Sequence, residues 1–293
     1  MGHGGMRLTY TVQAQSRSLN LLTTKYISGV GGYLPAAQMG SVDLIALADD
    51  TTSGISGTVQ TARISGWATP NASWVGGEQK VIALPLTFTR PAATPDGPFP
   101  SIIFGARVAG DVDGAVLPTR DMRDTGAACS GAACTHVSLN AATPVAARFG
   151  MLRLNPALGS DQLPLTMSAD LLYYNQVGFV PNSADTCTTI PVANLLLGNW
   201  RTGFVGGETS ITNNAATVIS GSLTFPSGGR GTMRLAKPGK AGKVDVTAGL
   251  TGAGMTYLRG NQGSATFSID PAATATFGVY KGPNQIIHMR ENF

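Results

Sequence analysis

The 293 residues of this chain are enough for one large or two ordinary domains, and a hydrophobic content of 43% is enough to form folded cores. Only 12% of the residues are charged, and the formal charge of +4 comes from basic residues scattered along the chain, which disfavours a nucleic-acid-binding protein. No segment approaches the roughly 20 consecutive apolar residues of a membrane helix, so we expect no membrane span.

Alternation of apolar and polar residues with a period of two is the main pattern of the sequence, and it predicts β-strands. The pattern is clearest over residues 6–15. It recurs at residues 42–48, 58–65, 81–89, 101–109, 151–155, 163–174, 217–225, 231–236, 243–250, 265–269, 275–280 and 285–290. Turn signals such as Gly76-Gly77 separate these runs. Helical periodicity is weak, and we expect no more than short helical turns near residues 141–147 and 194–200.

Many short strands without intervening helices predict an all-β protein built from antiparallel β-sandwiches, with a β-barrel as the alternative. Residues 119–144 interrupt the alternation and contain two of the three cysteines. We therefore predict two tandem sandwiches, an N-terminal one over residues 1–135 and a C-terminal one over residues 136–293.

The three cysteines allow one disulfide bond. We favour a bridge between Cys129 and Cys134, because the flexible segment between them can close a small loop. A link from either cysteine to Cys187 remains open. No histidine or basic residue stands beside Cys187 to lower its pKa, so we expect a buried or bridged cysteine there rather than a nucleophile. A zinc site is disfavoured, because His136 is the one histidine nearby and a fourth ligand is missing.

A second candidate metal site is the segment in which Asp111 and Asp113 precede Gly114. Closely spaced carboxylates followed by glycine are typical of the start of a calcium loop, although the downstream glutamate is missing. Calcium would then need Asp96 or Asp121 as a further ligand. The alternative is a turn in which Gly114 supplies a positive φ.

Trp67 and Trp74 flank a loop-like segment that contains Pro70-Asn71, and they are the best candidates for a sugar-binding surface. The alternative is that both rings belong to the cores, since aromatic residues make up only 7% of the chain. Trp200 is equally suited to closing the end of a sandwich.

Catalytic residues are not evident in the sequence. The three histidines are His3, His136 and His288, and no Gly-x-Ser-x-Gly segment marks a nucleophilic serine. We therefore predict a non-enzymatic protein.

The densest basic stretch lies within residues 228–244. It contains Arg230, Arg234, Lys237, Lys240 and Lys243. We expect an edge hairpin whose charges prevent edge-to-edge pairing, with a patch for a polyanion or a membrane surface as the alternative.

Ordered blocks of sequence follow residue 148. They are Arg148-Phe149-Gly150-Met151-Leu152-Arg153-Leu154-Asn155 and residues 159–165, 182–188, 275–282 and 287–291. Together they resemble the uncharacterised C-terminal domain family of MshQ-type proteins, which are encoded with the mannose-sensitive haemagglutinin class of type IV pili. The likeness extends back to about Arg90 and is faint before that residue. Gln162 stands where the family more often has glutamate.

The resemblance implies an exported, non-enzymatic module of a bacterial cell surface or type IV pilus, acting in adhesion, display or assembly. Its expected partners are pilus or cell-envelope proteins, together with surface glycans in the carbohydrate-binding alternative. A further alternative is a subunit that self-assembles by strand addition. Residues 1–5 lack the features of a signal peptide, and the resemblance implies a longer precursor with an export signal.

Overall fold

The computed structural model describes residues 6–16, 19, 21–23, 41–49, 58–66, 74–109, 114, 116–117, 119–122, 134–140, 145–212, 221–226 and 228–278. The chain divides into two compact units. Unit 1 comprises Met1–Phe149 and Tyr174–Gly178, and unit 2 comprises Gly150–Tyr173 and Phe179–Phe293.

Unit 1 contains two antiparallel sheets. The first has the order β1 (Met6–Gln13), β5 (Glu78–Phe88) and β4 (Ile64–Ser65). The second has the order β3 (Thr58–Val59), β2 (Ser41–Asp49), β6 (Phe99–Ala109) and β7 (Val137–Ser138), and β8 (Val145–Ala147) also pairs with β6.

The core of unit 1 is formed by alternate residues of these strands. In β1, Leu8, Tyr10 and Val12 are buried, whereas Arg7 and Thr9 between them are exposed. The same cluster contains residues of β4, β5 and β6 from both sheets, namely Ile64, Leu86, Phe88, Phe99, Ile102, Phe104 and Ala106. The two sheets therefore share one core, as in a β-sandwich.

The boundary between the units lies after Phe149 rather than after residue 135, where the sequence predicted it. The physical reason is strand pairing, because Val137 pairs with Ala106 and Val145 pairs with Ile102. The segment that interrupts the alternation therefore leads back into the second sheet of unit 1.

The described residues of unit 2 form a five-stranded sheet, a four-stranded sheet and a short two-stranded sheet. The five-stranded sheet has the order β12 (Phe179–Pro181), β11 (Leu165–Tyr174), β17 (Arg230–Leu235) and β15 (Ile211–Thr212), with β9 (Gly150–Leu154) also pairing with β11. The four-stranded sheet has the order β10 (Ala157–Gly159), β19 (Ala272–Phe277), β18 (Gly242–Ala248) and β14 (Leu195–Arg201). The remaining pair is β13 (Thr189–Pro191) with β16 (Ser222–Thr224).

The core of unit 2 joins the two larger sheets. It includes Met167 and Leu171 from β11, Leu235 from β17, Val246 from β18 and Phe277 from β19. The pair β10 and β19 is parallel, whereas the other registered pairs of this unit are antiparallel. The predicted all-β, sandwich-like fold is confirmed.

The helical content of the described residues consists of 3₁₀ turns at Thr61–Arg63, Val192–Asn194 and Thr256–Leu258. None of the helices in the described part of the chain is both long and apolar enough to cross a membrane.

Three expectations about individual elements differ from the structure. Residues 265–269 form bends with one isolated bridge from Ile269 to Gly260 instead of a strand. The short helical turn expected near residues 194–200 lies earlier, at Val192–Asn194, and residues 195–201 form strand β14. Strands β17 and β18 do not form an edge hairpin, because β17 lies between β11 and β15 whereas β18 lies between β14 and β19 of the other sheet. The predicted strand at residues 285–290 lies outside the described residues.

Candidate functional site

The predicted sugar-binding tryptophans are not both at a surface. Trp74 is only 6% exposed and belongs to the core cluster of unit 1, which also contains residues of β1, β4, β5 and β6. A ring in that position cannot serve as an open stacking platform. Trp67 lies outside the described residues. Trp200 is half-buried against the core of unit 2, and its ring centroid lies 5.9 Å from that of Phe204.

Asp96 and Asp121, the two further ligands considered for calcium, both have protein partners. Asp96 pairs with Arg63 at 2.5 Å. Asp121 accepts hydrogen bonds from the backbone N–H and the hydroxyl of Ser138. Asp111 and Asp113 lie outside the described residues. Gly114 has a φ of 64°, which agrees with the turn alternative.

Two described residues at the C-terminal end of the predicted cysteine loop are buried. Cys134 is fully buried, and His136 is 4% exposed with its Nδ1 2.8 Å from the hydroxyl of Thr135. Cys129 lies outside the described residues, so the bridge between Cys129 and Cys134 stays a prediction. Within the part of the chain that the structure describes, no three His, Cys, Asp or Glu side chains are grouped to hold a metal ion.

The basic stretch at residues 228–244 is divided between opposite sides of unit 2. Arg230 and Arg234 belong to the outer positions of β17, since Gly231, Met233 and Leu235 between and after them are buried. Lys243 belongs to the outer positions of β18 in the other sheet. The alternative interpretation, a single surface patch that contains all five basic residues, is therefore wrong.

Polar side chains form three rows on the outer side of the five-stranded sheet, next to an apolar row of Met151 and the buried Leu172. We call this surface the arginine face, and it consists of Arg153, Asn155, Thr166, Ser168, Asp170, Thr212, Arg230, Thr232 and Arg234. Asp170 on β11 pairs with Arg153 on β9 and with Arg230 on β17, so an Arg-Asp-Arg row crosses three strands. Thr166 pairs with Arg234, which pairs in turn with Thr212 on β15.

Asp170 is the central group of the arginine face, and its side chain is only 6% exposed. Its Oδ2 accepts hydrogen bonds from Arg153 Nη2 at 3.0 Å and Asn155 Nδ2 at 2.8 Å, and its Oδ1 accepts one from Arg230 Nε at 2.8 Å. Burial by itself would raise the pKa of Asp170, but the hydrogen bonds from Asn155, Arg230 and Arg153 outweigh burial and hold that pKa below its ordinary value. The carboxylate is therefore ionised and fixed.

A second carboxylate cluster lies on the outer side of the four-stranded sheet. Asp245 receives two hydrogen bonds from Arg201, at 2.8 and 2.9 Å, and one each from Asn199 and Thr274, both at 2.6 Å. The bonds from Arg201 are the main cause of a pKa of Asp245 well below its ordinary value. Because the donors belong to β14 and β19 and the acceptor Asp245 belongs to β18 between them, the cluster joins three neighbouring strands.

A third carboxylate closes the glycine-rich loop that follows β14. Glu208 accepts hydrogen bonds from the backbone N–H groups of Val205 and Gly206, both at 2.8 Å, and pairs with Lys240 at 2.9 Å. The bond from Val205, supported by Lys240 and Gly206, lowers the pKa of Glu208 to about 2. The negative charge of Glu208 therefore organises the loop.

These carboxylates predict acid-sensitive stability. A folded-state pKa below the unfolded value gives stability that is present above the unfolded pKa, about 4.3 for glutamate, and lost as the pH falls toward the folded value. The urea midpoint of the protein should therefore fall between about pH 5 and pH 2. In Glu208→Gln this fall should be smaller, whereas Asp161→Asn should keep the wild-type profile, since no hydrogen bond to the Asp161 carboxylate exists among the described residues. Identical pH profiles for all three proteins would contradict the role of Glu208.

Cys187 is a free, exposed thiol, so the expectation of a buried or bridged cysteine was wrong. The reason is a local turn in which Asp185 Oδ1 accepts hydrogen bonds from the backbone N–H groups of Cys187 and Thr188, at 3.3 and 3.0 Å. This turn presents residue 187 to solvent. Nearby, Tyr257 has a pKa raised by burial and further by the charges of Asp185 and Cys187.

Comparison with known protein families bears on the second half of the chain. Residues 148–292 match the family described as DUF6701, fourth domain. The match begins two residues before unit 2 and covers its described strands, so the resemblance to an uncharacterised domain family is confirmed over this segment. No curated protein and no solved structure matches the chain.

The arginine face was missed in the sequence because its members are far apart. Asp170 stands at an outer position of a predicted strand, between the inward-facing Ala169 and Leu171, and a carboxylate there was the available signal. Its arginine partners are 17 and 60 residues away. Strand register, which alternation alone does not fix, brings them together.

Proposed function

We propose that the protein is a non-enzymatic structural module of a bacterial cell surface, in a pilus-associated protein of the MshQ type. In this role it acts in adhesion, display or assembly, with pilus or cell-envelope proteins as partners. The family description supports a modular role, because a fourth domain is by name one of a series. Serial β-sandwich domains are common in cell-surface proteins.

The observation that carries the proposal is the use of the carboxylates in unit 2. Asp170, Asp245 and Glu208 each accept several hydrogen bonds from neighbouring strands or loops, and each has a lowered pKa. A general acid or base instead needs a pKa near the working pH and a free position toward substrate. Ionised carboxylates whose oxygens already accept several hydrogen bonds favour a structural role.

Cys187 makes surface display testable in intact cells. We expect a maleimide that cannot cross membranes to label Cys187 in cells that produce the complete native protein, since this thiol is free and exposed. The Cys187→Ser variant is the control and should remain unlabelled. Peptide mapping without reductant should then recover Cys129 and Cys134 as one bridged pair, as expected in an oxidising compartment.

The alternatives give different results in the same experiment. Labelling of Cys187 only after cell lysis would contradict surface display. Labelling of all three cysteines after the protein is denatured without reductant would contradict folding in an oxidising compartment. Pull-down with purified pilus subunits then tests the class of partner, and binding to none of them would leave the pilus assignment unsupported.

A further inference from the structure

We infer that the arginine face of unit 2 binds an acidic polysaccharide through the carboxylates of its sugar units. The inference extends the proposed adhesive role by naming a ligand class. Because binding to a purified polysaccharide does not depend on where the protein is located, its failure is distinguishable from failure of the surface-labelling experiment.

The first argument is that two guanidinium groups are held in place yet keep donors for a ligand. Arg153 contacts Asp170 through Nη2 and Arg230 contacts it through Nε, while the side chains of the two arginines remain 55% and 66% exposed. A guanidinium has five N–H donors, so most of them remain available at each position. Anchoring by a buried carboxylate also reduces the conformational entropy that each arginine would lose on binding.

The second argument is the charge of the surface. The arginine face contains three arginines and one carboxylate, and Asp170 can neutralise only one of them. Among the described residues, the guanidinium of Arg234 has no hydrogen-bond or ion-pair partner. Strand geometry separates Arg234 from Arg230 by about 13 Å along β17, and Arg153 from Arg230 by about 10 Å across the sheet. These spacings suit a ligand with repeated anionic groups better than a single small anion.

The third argument selects a carbohydrate polymer among polyanions. The three rows from Asp170 to Thr166 contain only polar side chains, and the apolar Leu172 in the adjoining row is buried. Protein interfaces instead depend on aromatic or aliphatic anchors, and single-stranded nucleic acids on aromatic stacking. The uncharged members, including Ser168, Thr232 and Asn155, supply hydroxyl and amide groups that can exchange hydrogen bonds with sugar hydroxyls. Guanidinium groups can bind carboxylates through two parallel hydrogen bonds. Arg153 and Arg230 each already donate one hydrogen bond to the Asp170 carboxylate.

The test measures binding of the complete chain to polygalacturonate at low ionic strength. We expect saturable binding that weakens with added salt, and no binding to neutral dextran. Arg234→Gln should weaken binding about tenfold, because a charge-assisted contact is lost. The matched control is Lys243→Gln, which removes the same charge from the outer side of the other sheet and should leave the affinity unchanged.

A second variant tests the same surface in case Arg234→Gln impairs folding. Thr232 is exposed between the two arginines of β17, so Thr232→Glu adds a repelling charge without removing a known contact, and it should abolish binding. Absence of wild-type binding would overturn the inference. Equal weakening by Lys243→Gln, or equal affinity for duplex DNA, would overturn it by revealing unspecific charge attraction. Binding to sulfated heparin without binding to polygalacturonate would overturn the choice of carboxylate.

Discussion

Gly242→Ala is expected to destabilise unit 2 by about 3 kcal/mol, at the upper end of the usual cost of overpacking. Gly242 begins β18, and a Cβ at this position would lie within the space of the Phe204 ring. That ring has little room to move, because its centroid lies 5.9 Å from the centroids of both Trp200 and Phe277. The loss should appear as earlier hydrogen exchange of peptides from β14, β18 and β19 in a urea series.

Gly198→Ala is the matched control for this prediction. Gly198 lies in β14 of the same sheet, has no positive φ, and has no heavy atom within 4 Å of a Cβ built on it. Its substitution should change the unfolding free energy by less than about 0.5 kcal/mol. Phe204→Ala should also relieve the clash, so the double variant with Gly242→Ala should lose less than the sum of the two single losses. Strict additivity would contradict the proposed contact.

Alternation predicted much of the fold because it depends on each strand separately. In β1 the buried Leu8, Tyr10 and Val12 occupy the positions that a period of two assigns to the interior. The same rule cannot name the neighbouring strand, since either sheet of a sandwich satisfies it. Strands β17 and β18 show the consequence, because a short connection suggests a hairpin whereas the two strands belong to opposite sheets.

The predictions of site residues were less accurate than the prediction of the fold, because they depended more on contacts between residues that are distant in sequence. Trp74 stands near turn residues, which suggested exposure, yet it belongs to a core cluster with residues from four strands. Cys187 is exposed because Asp185 forms a turn two residues before it. The arginines of the Arg-Asp-Arg row were visible as basic residues, but their common partner Asp170 follows from strand register alone.

Asp170→Asn is expected to destabilise unit 2 by about 3 kcal/mol, because removal of one member of a buried ion pair leaves charges without compensation. The amide keeps the shape of the carboxylate but replaces one acceptor oxygen with a donor, which then faces Arg153 and Asn155 or Arg230. The solvent exposure of the two arginines keeps the expected loss at the lower end of the range for buried pairs. Earlier hydrogen exchange of peptides from β9, β11 and β17 in urea measures it.

Asp161→Asn is the matched control. It makes the same chemical change in unit 2 at a carboxylate that accepts no hydrogen bond among the described residues. It should therefore change the unfolding free energy by less than about 0.5 kcal/mol. The difference between the two variants should also depend on pH. The Asp170 pKa is lowered in the folded state, so its contribution is present above the unfolded value of about 3.9 and is lost as the pH falls below it. Wild type and Asp170→Asn should therefore converge in stability toward pH 2. A difference that stays constant from neutral to acidic pH would show that the loss comes from packing rather than from the charge that joins β9, β11 and β17.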